Sequence, residues 1–193
     1  MPLMLVLCFA IGACEADPAG QLTATETTPE TSTAASPPDV TTSRASGAGQ
    51  AEMRKGLATF RRATARYHRV EAATADGFEQ ILPCLSNPDG PGAIGIPFAK
   101  LDRFDAEIDL SKPEILFYEP QADGSLRLVG GEPAVPIAAW EATGQTEPPS
   151  LFGREFHRNE EHGLYGLHMW VWRDSPDGVF SFWNANVSCD FAE

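Results

Sequence analysis

The residues with the greatest chemical capacity are His168 and Glu132. His168 lies in Leu167-His168-Met169-Trp170-Val171-Trp172, where strand alternation predicts Leu167, Met169 and Val171 on one face and His168, Trp170 and Trp172 on the other. An imidazole in a row of tryptophans either lines a concave pocket or packs in the core with one ring nitrogen hydrogen-bonded. Glu132 follows Leu126 and Leu128 at even spacing, so an unbroken strand places its carboxylate on their apolar face, where a buried charge needs a partner. His168, a metal ion or Arg127 in a neighbouring register could serve as that partner. A bulge at Gly130-Gly131 would instead turn Glu132 outward.

Two further histidines are metal candidates. His157-Arg158-Asn159-Glu160-Glu161-His162 matches neither HExxH nor HxxEH, and histidines five apart stand about 140° round a helix, so they cannot share a helical face. Glu161-His162-Gly163 reads as a loop, from which His162 could close over a metal site with His168 and Glu132. The aromatic tail offers another chemistry. Trp170, Trp172 and Trp183 could form a stacking platform in a ligand pocket, or they are core residues. Covalent catalysis has little support, because the chain lacks GxSxG and a Gly-rich phosphate loop, and Gly90-Pro91-Gly92-Ala93-Ile94-Gly95 lacks GxGxxG spacing. Asn186-Val187-Ser188 is a glycosylation sequon by pattern alone.

These side chains need a scaffold, and the periodicity supplies an α+β one. Met53, Leu57, Phe60, Thr64, Tyr67 and Val70 recur at steps of three and four, which predicts an amphipathic helix over 51–75. Gly77 suits the left-handed position that ends it, with Phe78 as the accompanying apolar contact. Strands are predicted at 93–99, 114–119, 125–135, 164–173 and 179–183. Asp123-Gly124 gives the clearest hairpin, between Tyr118 and Leu128. A helix followed by mostly antiparallel strands predicts a curved sheet wrapped round the helix, of cystatin-like or NTF2-like type, with a small barrel as the alternative.

The leader concerns location. Leu3 to Ala13 is an apolar run too short to span a bilayer, ending in Ile11-Gly12-Ala13-Cys14, which reads as a signal peptide over 1–13 with a lipobox whose Cys14 is lipidated. Residues 1–13 carry no Lys or Arg, and the competing reading is simple cleavage and free secretion. Residues 14–50 hold Pro18, Pro29, Pro37 and Pro38 among Thr, Ser and Ala and read as a disordered tether. Residues 51–193 are long enough for one globular domain. With Cys8 removed and Cys14 acylated, Cys84 and Cys189 should pair in an oxidising envelope and close a loop of about 105 residues, worth roughly 4–5 kcal/mol in the chain-entropy model. The net charge of −13 argues against nucleic acid as a partner and leaves cationic ligands, metal ions or plain solubility as its meaning.

From about Ala63 to Cys189 the chain resembles a family of uncharacterised bacterial exported proteins. The resemblance rests on Ala73-Thr74-Ala75-Asp76-Gly77-Phe78, Cys84, Gly92-Ala93-Ile94-Gly95-Ile96-Pro97-Phe98, Pro113-Glu114-Ile115-Leu116-Phe117-Tyr118-Glu119-Pro120, and Gly166-Leu167-His168-Met169-Trp170-Val171-Trp172 through Trp183-Asn184 to Val187-Ser188-Cys189. It implies a His-Tyr pair after a Gly-Ala-Met-Gly run, a Glu after a Leu-Val strand and a Leu-His-x-Trp histidine, together a plausible metal triad. Glu132 and His168 occupy two of these positions, whereas Pro97-Phe98 stands where the His-Tyr pair is implied. Proline cannot ligate a metal through its side chain, so a metal here requires His162 as substitute.

The expectation is a lipid-anchored envelope binding module for a metal ion or small ligand, built on His168, Glu132 and the tryptophans. The alternatives are a metal-dependent envelope enzyme, oxidase or hydrolase, and a structural envelope protein without a ligand.

Overall fold

The computed structural model describes residues 40–192, so the predicted signal peptide, most of the tether and Cys14 lie outside the described residues. The first helix, α1 (Val40–Thr64), begins well before residue 51. No proline follows Pro38 in this stretch, so no proline interrupts the helix between 40 and 50. The Thr64 hydroxyl donates back to the Phe60 carbonyl at 2.9 Å, a bond that bends helices. There α1 passes through a 3-10 turn, Ala65–Tyr67, into α2 (Val70–Ala75). The stop is as predicted. Gly77 adopts φ +92°, the Phe78 N–H reaches the Ala73 carbonyl and the Gly77 N–H that of Thr74, each at 3.0 Å, which is a Schellman end.

The strands β1 (Glu79–Gln80), β2 (Leu85–Ser86), β3 (Ala93–Ala99), β4 (Ile115–Pro120) and β5 (Leu126–Glu132) form an antiparallel sheet in the order β1-β3-β4-β5, with β2 also on β3. A smaller sheet follows the order β6-β10-β9, from β6 (Ala134–Pro136), β9 (His157–Asn159) and β10 (Leu164–Gly166). Between them in sequence come α3 (Ile137–Ala142) and a two-stranded ribbon, β7 (Ser150–Leu151) and β8 (Arg154–Glu155). The fold is α+β with antiparallel sheets, and they do not close into a barrel.

The predicted strand over 125–135 is two strands. Pro133 has no N–H for the ladder, so the chain leaves β4 after Glu132 and restarts as β6 on β10. The strand predicted over 164–173 is regular only to Gly166. Beyond it Met169 donates to the Gly131 carbonyl at 2.8 Å and Trp172 to that of Val129 at 3.2 Å, so the segment runs along β5 without becoming a full strand. The close approach requires small residues, since a Cβ on Gly130 would stand 2.7 Å from the Met169 carbonyl oxygen. Residues 179–183, predicted as a strand, form turns, with Ser181 N–H bonded to the Gly178 carbonyl.

Both faces of the main sheet are covered. Tyr67, Ala73 and Phe78 pack with Ile96, Phe98, Leu116, Tyr118 and Leu128 on one face. Ile94, Ile115, Phe117, Val129, Trp170 and Val187 form the core of the other. A third cluster seats Phe60 of α1 on Val135, Tyr165, Leu167, Met169 and Val171. The Cys84–Cys189 disulfide ties the edge of the sheet to the C-terminal tail, as the cysteine count predicts.

Candidate functional site

Glu132 reaches its position through a bulge. On β4 Phe117 faces Gly130 and the next residue, Tyr118, faces Leu128, so Val129 is an extra residue in β5. An inserted residue reverses the alternation beyond it. Leu128 therefore shares a face with Leu116 and Tyr118, while Glu132 pairs with Ile115 on the opposite one. Neither sequence alternative describes this outcome. The bulge does turn Glu132 away from Leu126 and Leu128, but the other face is a pocket rather than bulk solvent.

His168 arrives at the same face from β10. Leu167, Met169 and Val171 join one cluster while Trp170 joins the other, so the predicted alternation holds from 167 to 171 although the segment is irregular. His168 Nε2 lies 3.2 Å from Glu132 Oε2, and the two side chains are only 7% and 13% exposed. His168 Nδ1 stands 2.6 Å from the Phe182 carbonyl oxygen. Phe182 stacks on the imidazole at 4.6 Å between ring centroids and Phe117 meets it edge-on at 4.9 Å.

These contacts define the protonation pattern. A carbonyl only accepts, so Nδ1 must carry a hydrogen. The Nε2–Oε2 contact then requires one proton between them, on the ring or on the carboxyl, since a bare lone pair would repel a carboxylate. The pair as a whole is neutral in either form. Among the described residues only His168 bonds the Glu132 carboxylate, and it uses Oε2 alone, which leaves Oε1 available.

The pair lines a pocket of about 80 Å³. Ile81, Leu85, Ile94, Pro97, Ile115 and Phe117 make its apolar wall, and His157, Asn159 and His162 add polar groups. The His157 ring packs edge-on against Phe182 at 4.5 Å. Burial holds His157 below the usual imidazole range, and positive charge on His168 acts in the same direction. His162 occupies the turn between β9 and β10, where its backbone N–H bonds Asn159 Oδ1 at 3.1 Å.

The donor set falls short of a metal centre. An imidazole whose second N–H is anchored on a carbonyl is a common metal-ligand arrangement, and His168 has it. However, among the described residues no group of three or more His, Cys, Asp and Glu side chains is placed to hold an ion. His162 lines the pocket without completing a His168-Glu132-His162 triad, and Pro97 presents only carbon to it.

The three tryptophans lie around the site rather than in the pocket wall. Trp170 is buried with its indole N–H on the Ser181 carbonyl at 2.7 Å. Trp172 points to the helical side, where its N–H bonds Thr64 Oγ1 at 2.9 Å and the Arg61 guanidinium lies 4.1 Å over its ring. Trp183 is half-buried against Phe182. None of the three lines the pocket. Trp170 does meet the imidazole edge-on at 6.0 Å between centroids, but the closer rings are Phe117 and Phe182, which in sequence look like any other strand aromatics. The Phe182 carbonyl has no sequence signature at all.

Comparison with family models, curated proteins and solved structures finds no match to this chain.

Proposed function

We propose that the protein is a small-ligand binding module, exported and held at a cell envelope by a lipid on Cys14, whose ligand occupies the pocket lined by His168 and Glu132. The observation that carries this reading is the state of the carboxylate: one oxygen is held by an imidazole of fixed tautomer, the other has no hydrogen-bond partner among the described residues, and Glu132 lines a mostly apolar pocket. A few oriented polar groups in a mostly apolar concavity are the usual make-up of a small-molecule site. The pocket is small, about half the volume of an apolar cavity of about 150 Å³ known to admit benzene. Its occupant is thus a compact molecule. The reading proposed here takes the small-ligand half of the sequence expectation, because among the described residues no three His, Cys, Asp or Glu side chains are placed to hold an ion. Packing of α1 and α2 across the antiparallel sheet supports a cystatin-like or NTF2-like architecture as the finer reading of the fold.

The test is a fragment screen on the full-length chain by NMR. Binding that moves the resonances of His168, Phe117 and Phe182 and leaves those of the surface hairpin at Asp123 in place is expected. A screen of several hundred small fragments that moves none of the three would remove the binding module. The anchor is tested separately, because Cys14→Ser should shift the protein from the membrane fraction to the soluble one.

A further inference from the structure

From the shared proton we infer the chemical class of the ligand: an uncharged molecule with a compact apolar body and one O–H or N–H that donates to Glu132 Oε1. This inference rests on the binding-module reading above. The titratable side chains lining the pocket are Glu132, His157, His162 and His168. Glu132 and His168 hold one proton between them, so their charges already cancel. An ammonium ligand at Oε1 would add a positive charge that the pair cannot offset without losing the proton that holds it together. A carboxylate ligand would meet the free lone pairs of Oε1 directly. Either charge would leave water for a wall of isoleucine, leucine, proline and phenylalanine, an environment that disfavours an uncompensated ion strongly.

A neutral donor has none of these difficulties. It completes the carboxylate's hydrogen bonding and leaves the His168 contact and the Phe182 anchor undisturbed. His157 adds no opposing demand, since burial favours its uncharged form. Asn159 faces the same pocket, with its Oδ1 engaged by the His162 N–H. The volume limits the body of the ligand to a few heavy atoms, the scale of a short-chain alcohol or amide.

The experiment uses four probes of nearly equal size on the full-length chain at pH 7.5, with dissociation constants read from the NMR shifts of His168 and Phe182. They are 1-butanol, methyl propyl ether, butylammonium and butyrate. The expected order places 1-butanol first, the ether, which has no donor, about fivefold weaker, and both ions at least about tenfold weaker. Equal or tighter pocket binding by butylammonium or butyrate overturns the neutral class while leaving the binding module intact. An ether as tight as the alcohol overturns the donor to Glu132. If no probe moves either residue, the binding reading and the inference fall together.

Discussion

Gly166 lies so close to the Glu132 carboxylate that a Cβ added there would stand 2.3 Å from Oε2 and 2.8 Å from Cδ. The obstacle is the end of a flexible side chain, so the backbone can remain while the carboxylate moves. Gly166→Ala is therefore expected to cost on the order of 1–2 kcal/mol in urea denaturation and to move the His168 ring resonances. A variant with wild-type His168 resonances would show that Glu132 has room that the packing denies it.

His168 and Glu132 should behave as one unit. Removing His168 leaves a mostly buried carboxylate without its partner, while removing the carboxylate leaves an imidazole still anchored on Phe182. His168→Ala is expected to destabilise by roughly 2–4 kcal/mol, and Glu132→Gln by less. The double variant should fall short of the sum by about 1–2 kcal/mol. Strict additivity in a double-mutant cycle of denaturation energies would mean that the contact contributes nothing.

Much of this arrangement was legible in the chain. The 93–99 strand, the Asp123-Gly124 hairpin, the Gly77 stop and the Cys84–Cys189 pair all rest on local rules or on counting, and they appear as expected. His168 and Glu132 stood out because a polar side chain in an apolar pattern must be reconciled with burial. Their juxtaposition did not follow from that. It depends on Val129 being the extra residue in β5, and nothing in Leu126-Arg127-Leu128-Val129-Gly130-Gly131 marks that position over the glycines. Trp172 was misplaced for a related reason: tertiary contacts with Thr64 and Arg61 override strand alternation at the end of an irregular segment.

Glu114 provides a pH dependence away from the pocket. It is 3% exposed and accepts the Ala134 N–H at 2.9 Å. Burial pushes its carboxyl from 4.5 up to about 8, against the opposing pull of the Ala134 N–H and the Arg103 charge. A carboxyl whose folded value is raised contributes stability that is complete below about pH 4.5 and is lost as the pH rises through about 8. Wild-type stability relative to Glu114→Gln should therefore decline between pH 5 and pH 8.5, over a range of a few kcal/mol. His157, depressed by burial, contributes in the opposite sense, with stability lost as the pH falls, and the comparison with Glu114→Gln removes it. A flat difference between the two proteins would mean that Glu114 titrates as an exposed carboxylate.

The disulfide spans 105 residues, and its loss should be felt globally. Replacing both Cys84 and Cys189 by serine is expected to lower the unfolding free energy by roughly 2–5 kcal/mol. Urea unfolding of the double variant beside the wild type checks this. A change under about 0.5 kcal/mol would mean that the Ala93–Asn184 bridge and neighbouring contacts already hold the tail.

The extra residue in β5 has a consequence for how the protein can change over time. A deletion of Val129 would only remove the bulge and leave Gly130 on Phe117, Gly131 on Leu116 and Glu132 on Ile115, but taking Val129 into the ladder without shortening the strand would shift every later pair by one and turn each later side chain to the other face. Glu132 would then face the aromatic layer beneath the helices, and Gly131 would take its place at the pocket. No residue type would be lost, yet the acid and the imidazole would stand on opposite sides of the sheet. Descendants of this chain can therefore vary the pocket wall by substitution and can lose Val129, while the pairing of Glu132 with Ile115 has to be kept for the two side chains to meet.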